Sequence, residues 1–273
     1  MKMKIKEMAV RSYLTASKLP DADYVINPYV GCTHKCIYCY AEFMKRFTNH
    51  KEDWGSFLDI KVSDIKSDYN KKEGTSILIG SVTDAYNAFE KKYGITREIL
   101  KNLLNAKCHV EVLTKSDLVL RDIDLFKQIA DFRVGISLNT LDDSFRKKIE
   151  PGAPNIQRRI NALKELHMSG IKTCLFMSPI FPEITNFKQI IDETKDFVDF
   201  FCFENLNLRG AYASRVLNLI NQDYQHLNDI YKEIYKNKNM VYWENMSNEI
   251  DDYCLSRKLN YKLYFYHEKI RKA

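Results

Sequence analysis

Three of the chain's seven cysteines, Cys32, Cys36 and Cys39, fall within eight residues of the stretch Asn27–Ala41, NPYVGCTHKCIYCYA. The spacing C-x3-C-x2-C sets three thiolates on one loop that leads into a helical segment. Three such ligands can hold three irons of a 4Fe-4S cluster; such clusters ordinarily take four cysteines, so one iron is left open. An open iron can bind something other than protein, as an open position does at catalytic metals. Zinc is the competing reading, with His34 or His50 as fourth ligand. Structural zinc usually shows two ligand pairs, however, and no second Cys or His pair occurs elsewhere at such spacing. His34 and Lys35 make the loop polar, which speaks against three unrelated core cysteines.

A length of 273 residues suits one large domain or two ordinary ones, and α/β barrels often run this long singly. No apolar run approaches the roughly 18 residues of a membrane span. The opening MKMKIKEMAVR is basic but lacks the apolar stretch and cleavage site of a secretory signal. The other cysteines, Cys108, Cys174, Cys202 and Cys254, are scattered, and an odd total suggests no disulfide framework. A reducing cytoplasm is the expected location. The net charge of +6 is compatible with a nucleic-acid partner and selects none.

Residues 1–22 read as a polar lead-in. Strands are expected at Tyr24–Tyr29, Ile77–Gly80, Val110–Leu113, Phe132–Leu138, Thr173–Met177 and Val198–Phe203. Between them lie helical patterns, at Tyr40–Phe47, Thr96–Ala106, Ile123–Ala130 (with Asp122 as cap), Ile156–Ser169 and Asn186–Phe197. Tyr212–Tyr235 reads as the longest helix. Residues 48–75 are charged and irregular, apart from a short strand candidate at Phe57–Val62. Alternating strands and helices imply a parallel sheet with right-handed crossovers. The fold expected is therefore α/β, a partial (β/α)6 barrel of TIM type over residues 23–239. A C-terminal helical extension, 240–273, packs on it; Ser247 could cap a helix there, and KLNYKLYFYHEK is ambiguous between strand and helix.

Barrel chemistry sits at the C-terminal ends of the strands, and the cysteine loop follows the first of them. After the second comes Gly80-Ser81-Val82-Thr83-Asp84, a turn offering N–H groups, hydroxyls and a carboxylate to a polar ligand, or alternatively a helix cap. Lys115 follows the third strand, and Ser137, Asn139 and Thr140 end the fourth. Glu150-Pro151-Gly152-Ala153-Pro154 forms a rigid loop before the helix that Arg158 and Arg159 open. The fifth strand runs into apolar Ser178–Pro182, and the sixth ends in Glu204, Asn205, Asn207 and Arg209.

The ordered set NPYVGCTHKCIYCYA, GSVTDAY, LTKSDLVLRDIDL, VGISLNTLDD and EPGAPNIQRRINALKELHMSGI, followed by PIFP, resembles one family over roughly residues 24–210. It is the radical S-adenosylmethionine (SAM) family that includes spore photoproduct lyase and its DNA repair photolyase-like relatives. The resemblance implies a SAM-chelated 4Fe-4S cluster and reductive cleavage of SAM to methionine and a 5′-deoxyadenosyl radical. It implies Cys32, Cys36 and Cys39 as cluster ligands, Tyr38 near the adenine, and Ser81, Thr83 and Asp84 near the methionyl end. Lys115 would meet the SAM carboxylate, and Ser137 or Asn139 the ribose. The implied partner is a one-electron reductant such as flavodoxin or ferredoxin.

That lyase returns a hydrogen atom to its product from a cysteine near the second-strand turn, whereas Ile77–Tyr86 contains none. Tyr38 and Tyr40, flanking Cys39, are then the candidate catalytic side chains. The expected function is a radical SAM enzyme of unidentified substrate. One alternative is a nucleic-acid lyase or repair enzyme, favoured by Lys/Arg/Tyr interleaving at Lys258–Lys272, which otherwise reads as an amphipathic closing element. The other is a non-catalytic iron–sulfur or zinc protein that binds a partner.

Overall fold

Parallel strands cannot be joined by tight turns; each needs a crossover of about a dozen residues or more. The computed structural model describes residues 3–63 and 69–266. In chain order its strands are β1 (Lys4–Ala9), β2 (Leu14–Ala16), β3 (Tyr24–Ile26), β4 (Tyr29–Val30), β5 (Phe57–Val62), β6 (Ser76–Ile79), β7 (His109–Thr114), β8 (Phe132–Ser137), β9 (Lys172–Ile180), β10 (Phe200–Asn205) and β11 (Tyr261–Leu263). The main sheet has the order β11-β10-β9-β8-β7-β6-β3-β2, parallel throughout except for β2, which is antiparallel to β3. Its strands β3 and β6 to β10 are the six expected. No ladder joins β2 to β11 among the described residues, so the barrel is partial. Across the open flank Asp21 accepts hydrogen bonds from Lys262, at 2.6 and 2.7 Å, and from the Tyr264 hydroxyl.

Alternation along each strand divides the side chains between two environments. Val110, Val112, Val134, Ile136, Leu175, Met177, Phe201 and Phe203 join helix residues such as Leu100, Leu163 and Ile191 in one buried apolar cluster. Their neighbours Glu111, Leu113, Arg133, Ser137, Cys174, Phe176, Cys202 and Glu204 line a cavity on the other face. No helix among the described residues is long and apolar enough to cross a membrane.

Several local expectations are corrected. Tyr24–Tyr29 is not one strand: after β3 the chain leaves the main sheet at Pro28, which has no N–H to give, and β4 pairs antiparallel with β5. The lead-in supplies β1, which pairs in parallel with β5, and β2; their burial is slight, so apolar patterning did not announce them. Tyr212–Tyr235 breaks at Tyr224 (φ −137°, ψ 44°), leaving Gly210–Asp223 and shorter turns beyond. The longest helix is Val241–Ser256, with Ser247 inside it rather than at its cap. The ambiguous KLNYKLYFYHEK contains β11, and residues 267–272 of the basic tail lie outside those described.

Asp122 does not cap a helix with its side chain. Fully buried, it accepts from Arg97 Nη1 (2.6 Å), Arg121 Nε and Nη2 (2.8 and 2.7 Å) and the Tyr86 hydroxyl (3.0 Å). A lost cap costs about 1 kcal/mol, whereas breaking a buried ionic group costs about 3 kcal/mol or more. Asp122→Ala is therefore expected to lower the unfolding free energy by the larger amount, read from urea denaturation.

Candidate functional site

The cysteine loop lies between β4 and the 3-10 helix Tyr40–Phe47; Arg215 Nε of the helix Gly210–Asp223 donates to Ile37 O (3.3 Å), and three further segments hold the loop in place. From the turn after β6, the Thr83 hydroxyl donates to the Gly31 carbonyl, and Asp84 Oδ2 lies 2.8 Å from His34 Nε2. From the loop at 149–152, Gly152 N donates to His34 O (2.9 Å), while Ile37 N donates to Ile149 O (2.9 Å). The third segment brings Trp54, whose indole N–H donates to Cys39 Sγ at 3.2 Å. Gly31 takes φ +91°, a left-handed backbone that favours glycine, and a Cβ there would collide with the Phe57 carbonyl.

Cys32, Cys36 and Cys39 are free thiols lining one cavity of about 700 Å³, within the range of small-molecule sites. Burial pushes Cys32 up to about 12, with Asp84 and Cys39 adding to the effect, and burial also raises Cys36 and Cys39. Metal binding must therefore displace protons from all three. Among the described residues no three His, Cys, Asp or Glu side chains converge as ligands of a single ion would. The histidines once open as fourth ligands are engaged. His34 contacts Asp84 and the Gly152 carbonyl (3.3 Å), and His50 contacts Asp59 (2.7 Å) and Glu52 (3.1 Å).

Beside Cys36 lies a buried charge cluster. Glu150 accepts from the Tyr38 hydroxyl and Arg159, and Lys115 Nζ stands 3.9 Å away. Burial alone would raise the Glu150 pKa, but Arg159 and Lys115 outweigh it and hold the carboxyl below its usual range. Burial likewise opposes the Lys115 ammonium, and Glu150 followed by Cys36 more than compensates, holding it above its usual range. Of this cluster's charged groups Lys115 lines the cavity, where the carboxylates of Asp84, Glu111 and Glu204 also stand.

The expected site residues divide by role. Ser81, Thr83, Asp84, Lys115, Ser137, Tyr38 and Tyr40 all line the cavity. Asp84 is fully committed, since Oδ1 accepts from Tyr86 N and Thr114 Oγ1, and Oδ2 from Lys115 N beside its His34 contact. Ser81 Oγ accepts from Asn27 Nδ2 (2.9 Å). Asn139 stands deeper, donating to Pro179 O (3.3 Å), and its side-chain oxygen has no partner among the described residues. Tyr38 points inward with its ring edge-on to Phe181 (5.7 Å, 74°), while Tyr40 is 47 % exposed. Glu150 and Arg159 were noted around the loop before a helix but, like Trp54, Cys174 and Cys202, were not assigned a site role from the sequence. Arg159 could have been, because it shares the helix face of Ile156, Ile160 and Leu163, whereas Arg158 turns outward to Asp117.

A family model described as the radical SAM superfamily matches residues 26–197. The chain belongs to the radical SAM superfamily. An uncharacterised protein of Methanocaldococcus jannaschii is 42 % identical over 210 residues, covering 77 % of this chain and 80 % of that one. A radical SAM Nα-GlyT isomerase of Pseudomonas phage M6 is 26 % identical over 167 residues, 60 % of this chain but 34 % of the isomerase. Among solved structures, a spore photoproduct lyase variant with bound AdoMet and dinucleoside spore photoproduct aligns with TM-score 0.63 at 15 % identity. That alignment covers 80 % of this radical SAM chain and 66 % of the lyase, and it shows a shared fold.

A Cβ on Gly152 would run into the Thr33 carbonyl and approach His34 Cα to 3.1 Å. Gly152→Ala is thus expected to displace the cysteine loop and lower the iron bound per chain after anaerobic reconstitution. Circular dichroism should show the fold retained.

Proposed function

We propose that this radical SAM protein is an enzyme that holds a 4Fe-4S cluster on Cys32, Cys36 and Cys39 and binds SAM across the mouth of the adjoining cavity. The supporting observation is that the three thiols open into the same cavity as Lys115, Ser137 and Ser81. When bound, the cluster and SAM supply one-electron cleavage of the sulfonium, giving methionine and a 5′-deoxyadenosyl radical that takes a hydrogen atom from the substrate. The chain's own work is to bind, orient and exclude water. Lys115, 17 % exposed and facing the cavity, is placed to meet a carboxylate. Tyr38 and Pro179 offer apolar faces to an adenine, and the Ser137 hydroxyl a partner for a ribose. Asp84 and Glu150 keep these groups in place. The wall formed by Glu111, Arg133, Phe176 and Glu204 is left for the substrate. A one-electron carrier of the flavodoxin or ferredoxin class is the partner required.

Anaerobic reconstitution with iron and sulfide, followed by reduction, tests this reading. The reduced protein should give an EPR signal that changes on adding SAM, and 5′-deoxyadenosine should form. Cys36→Ala should lose at least 90 % of that product, on the order of the tenfold or greater loss that follows removal of a metal ligand's support. A chain that binds zinc and leaves SAM intact would sink the proposal.

A nucleic-acid substrate is the second reading, favoured by the rim of the cavity. Tyr40, Phe43 and Phe47 are 47, 43 and 67 % exposed, and Arg46 lies over both phenylalanine rings (5.4 and 4.6 Å). Exposed rings interleaved with basic groups can stack bases and meet phosphates. On this reading a single-stranded oligonucleotide binds, binding weakens steeply as salt rises, and Phe47→Ala weakens it by roughly tenfold. Absence of binding at low salt would remove the reading.

A further inference from the structure

Residues 50–59 have no role in the function proposed above, yet they pack directly against the cysteine loop. A Cβ on Gly55 would meet Lys35 Cγ at 2.7 Å, and one on Gly31 would strike the Phe57 carbonyl, so the two segments approach at backbone distance. From this contact Trp54 reaches the third cysteine, its indole N–H 3.2 Å from Cys39 Sγ. Among the described residues no other side chain is seen donating to Cys32, Cys36 or Cys39.

The indole is held from behind. Its ring meets Phe57 edge-on (5.7 Å, 84°), and the fully buried Phe57 stacks on His50 (4.0 Å, 15°). His50 in turn is pinned through both ring nitrogens, by Asp59 on β5 and by Glu52. A scaffold running from β5 through two rings thus aims one neutral donor at one sulfur.

We propose that Trp54 is a positioning residue that raises the reduction potential of the cluster on Cys32, Cys36 and Cys39, with residues 50–59 as its support. The proposal rests on those cysteines being the cluster ligands. An N–H aimed at a thiolate sulfur stabilises whichever oxidation state carries more negative charge. The reduced cluster holds one more electron, so the donor favours reduction; hydrogen bonds to the sulfurs are among the factors that set cluster potentials. Burial acts the other way, since a low dielectric disfavours the more highly charged state. Trp54 offsets that burial with a dipole and without adding a charge that would itself need desolvation.

The full-length chain is reconstituted anaerobically, and iron and sulfide per chain are measured first. Trp54→Phe keeps a ring against Phe57 but has no N–H, and it is titrated beside the parent by EPR-monitored reduction. At equal iron content the variant's midpoint should be more negative, so that a smaller fraction is reduced at the same applied potential. Equal midpoints at equal iron content overturn the proposal while leaving the ligand reading intact. A parent chain that takes up no iron sinks both.

A second measurement needs no substitution. The chain has two tryptophans, and Trp243 packs against Tyr242 and Phe265 in the C-terminal region. With 15N-indole labelling, pulsed EPR of the reduced wild-type cluster should show a hyperfine coupling to the Trp54 nitrogen. A labelled, fully loaded cluster without that coupling also overturns the proposal.

Discussion

The Asp84 carboxylate, buried just beyond β6, takes His34 of the cysteine loop at one oxygen and two groups of the β7 end, Thr114 Oγ1 and Lys115 N, across the pair. A buried carboxylate is tolerated only when its acceptors are filled, and here Tyr86 N completes the set. Burial would raise the group's pKa; His34, the Lys115 N–H and the Thr114 hydroxyl outweigh it and keep the carboxyl well below the usual range. The position of the cysteine loop, the aim of Lys115 and the ends of two barrel strands therefore depend on one ionised group. Moving any one of them strands a polar partner in the interior.

Glu150 does for the far wall what Asp84 does for the near one, with a different charge balance. It orients Tyr38, Arg159 and Lys115 together, yet cancels only part of their positive charge. The remainder faces the thiols. Lys115 lines the cavity and brings its ammonium toward Cys36, while Asp84, Glu111 and Glu204 line the same cavity with carboxylates. On the opposite side of the sheet the same strands present mainly apolar side chains, with Thr173 a buried exception, so that rigidity and chemistry are supplied largely by alternate residues of one backbone.

The parallel sheet and its six crossover strands were legible in the sequence because period-two burial leaves a repeating apolar trace. The three-cysteine motif was legible because its spacing is local. What escaped was carried by groups without a period or by partners distant in sequence. β1, KIKEMA, is half polar and only slightly buried, and it is held mainly by its ladder to β5. Asp122 looked like a cap because it precedes a helix, and besides its neighbour Arg121 its partners, Arg97 and Tyr86, lie 25 and 36 residues away. Trp54 sits in an irregular segment where neither helical nor strand periodicity applies, so only the folded chain shows which sulfur it meets. Asn139 illustrates the converse, a polar strand end whose side chain turns away from the cavity into the wall.

Asp21 and Lys262, separated by 241 residues, meet across the flank of the partial barrel. Most groups that hold the cysteine loop, by contrast, come from within residues 27–159, although Arg215 Nε also donates to Ile37 O (3.3 Å). The chain emerges from its N-terminal side during synthesis, so most partners of the cysteine loop are made before the flank is. The last wall of the cavity arrives with β11, after the strands that frame the cysteines are already paired. The three thiols are thus grouped before the chamber beside them narrows.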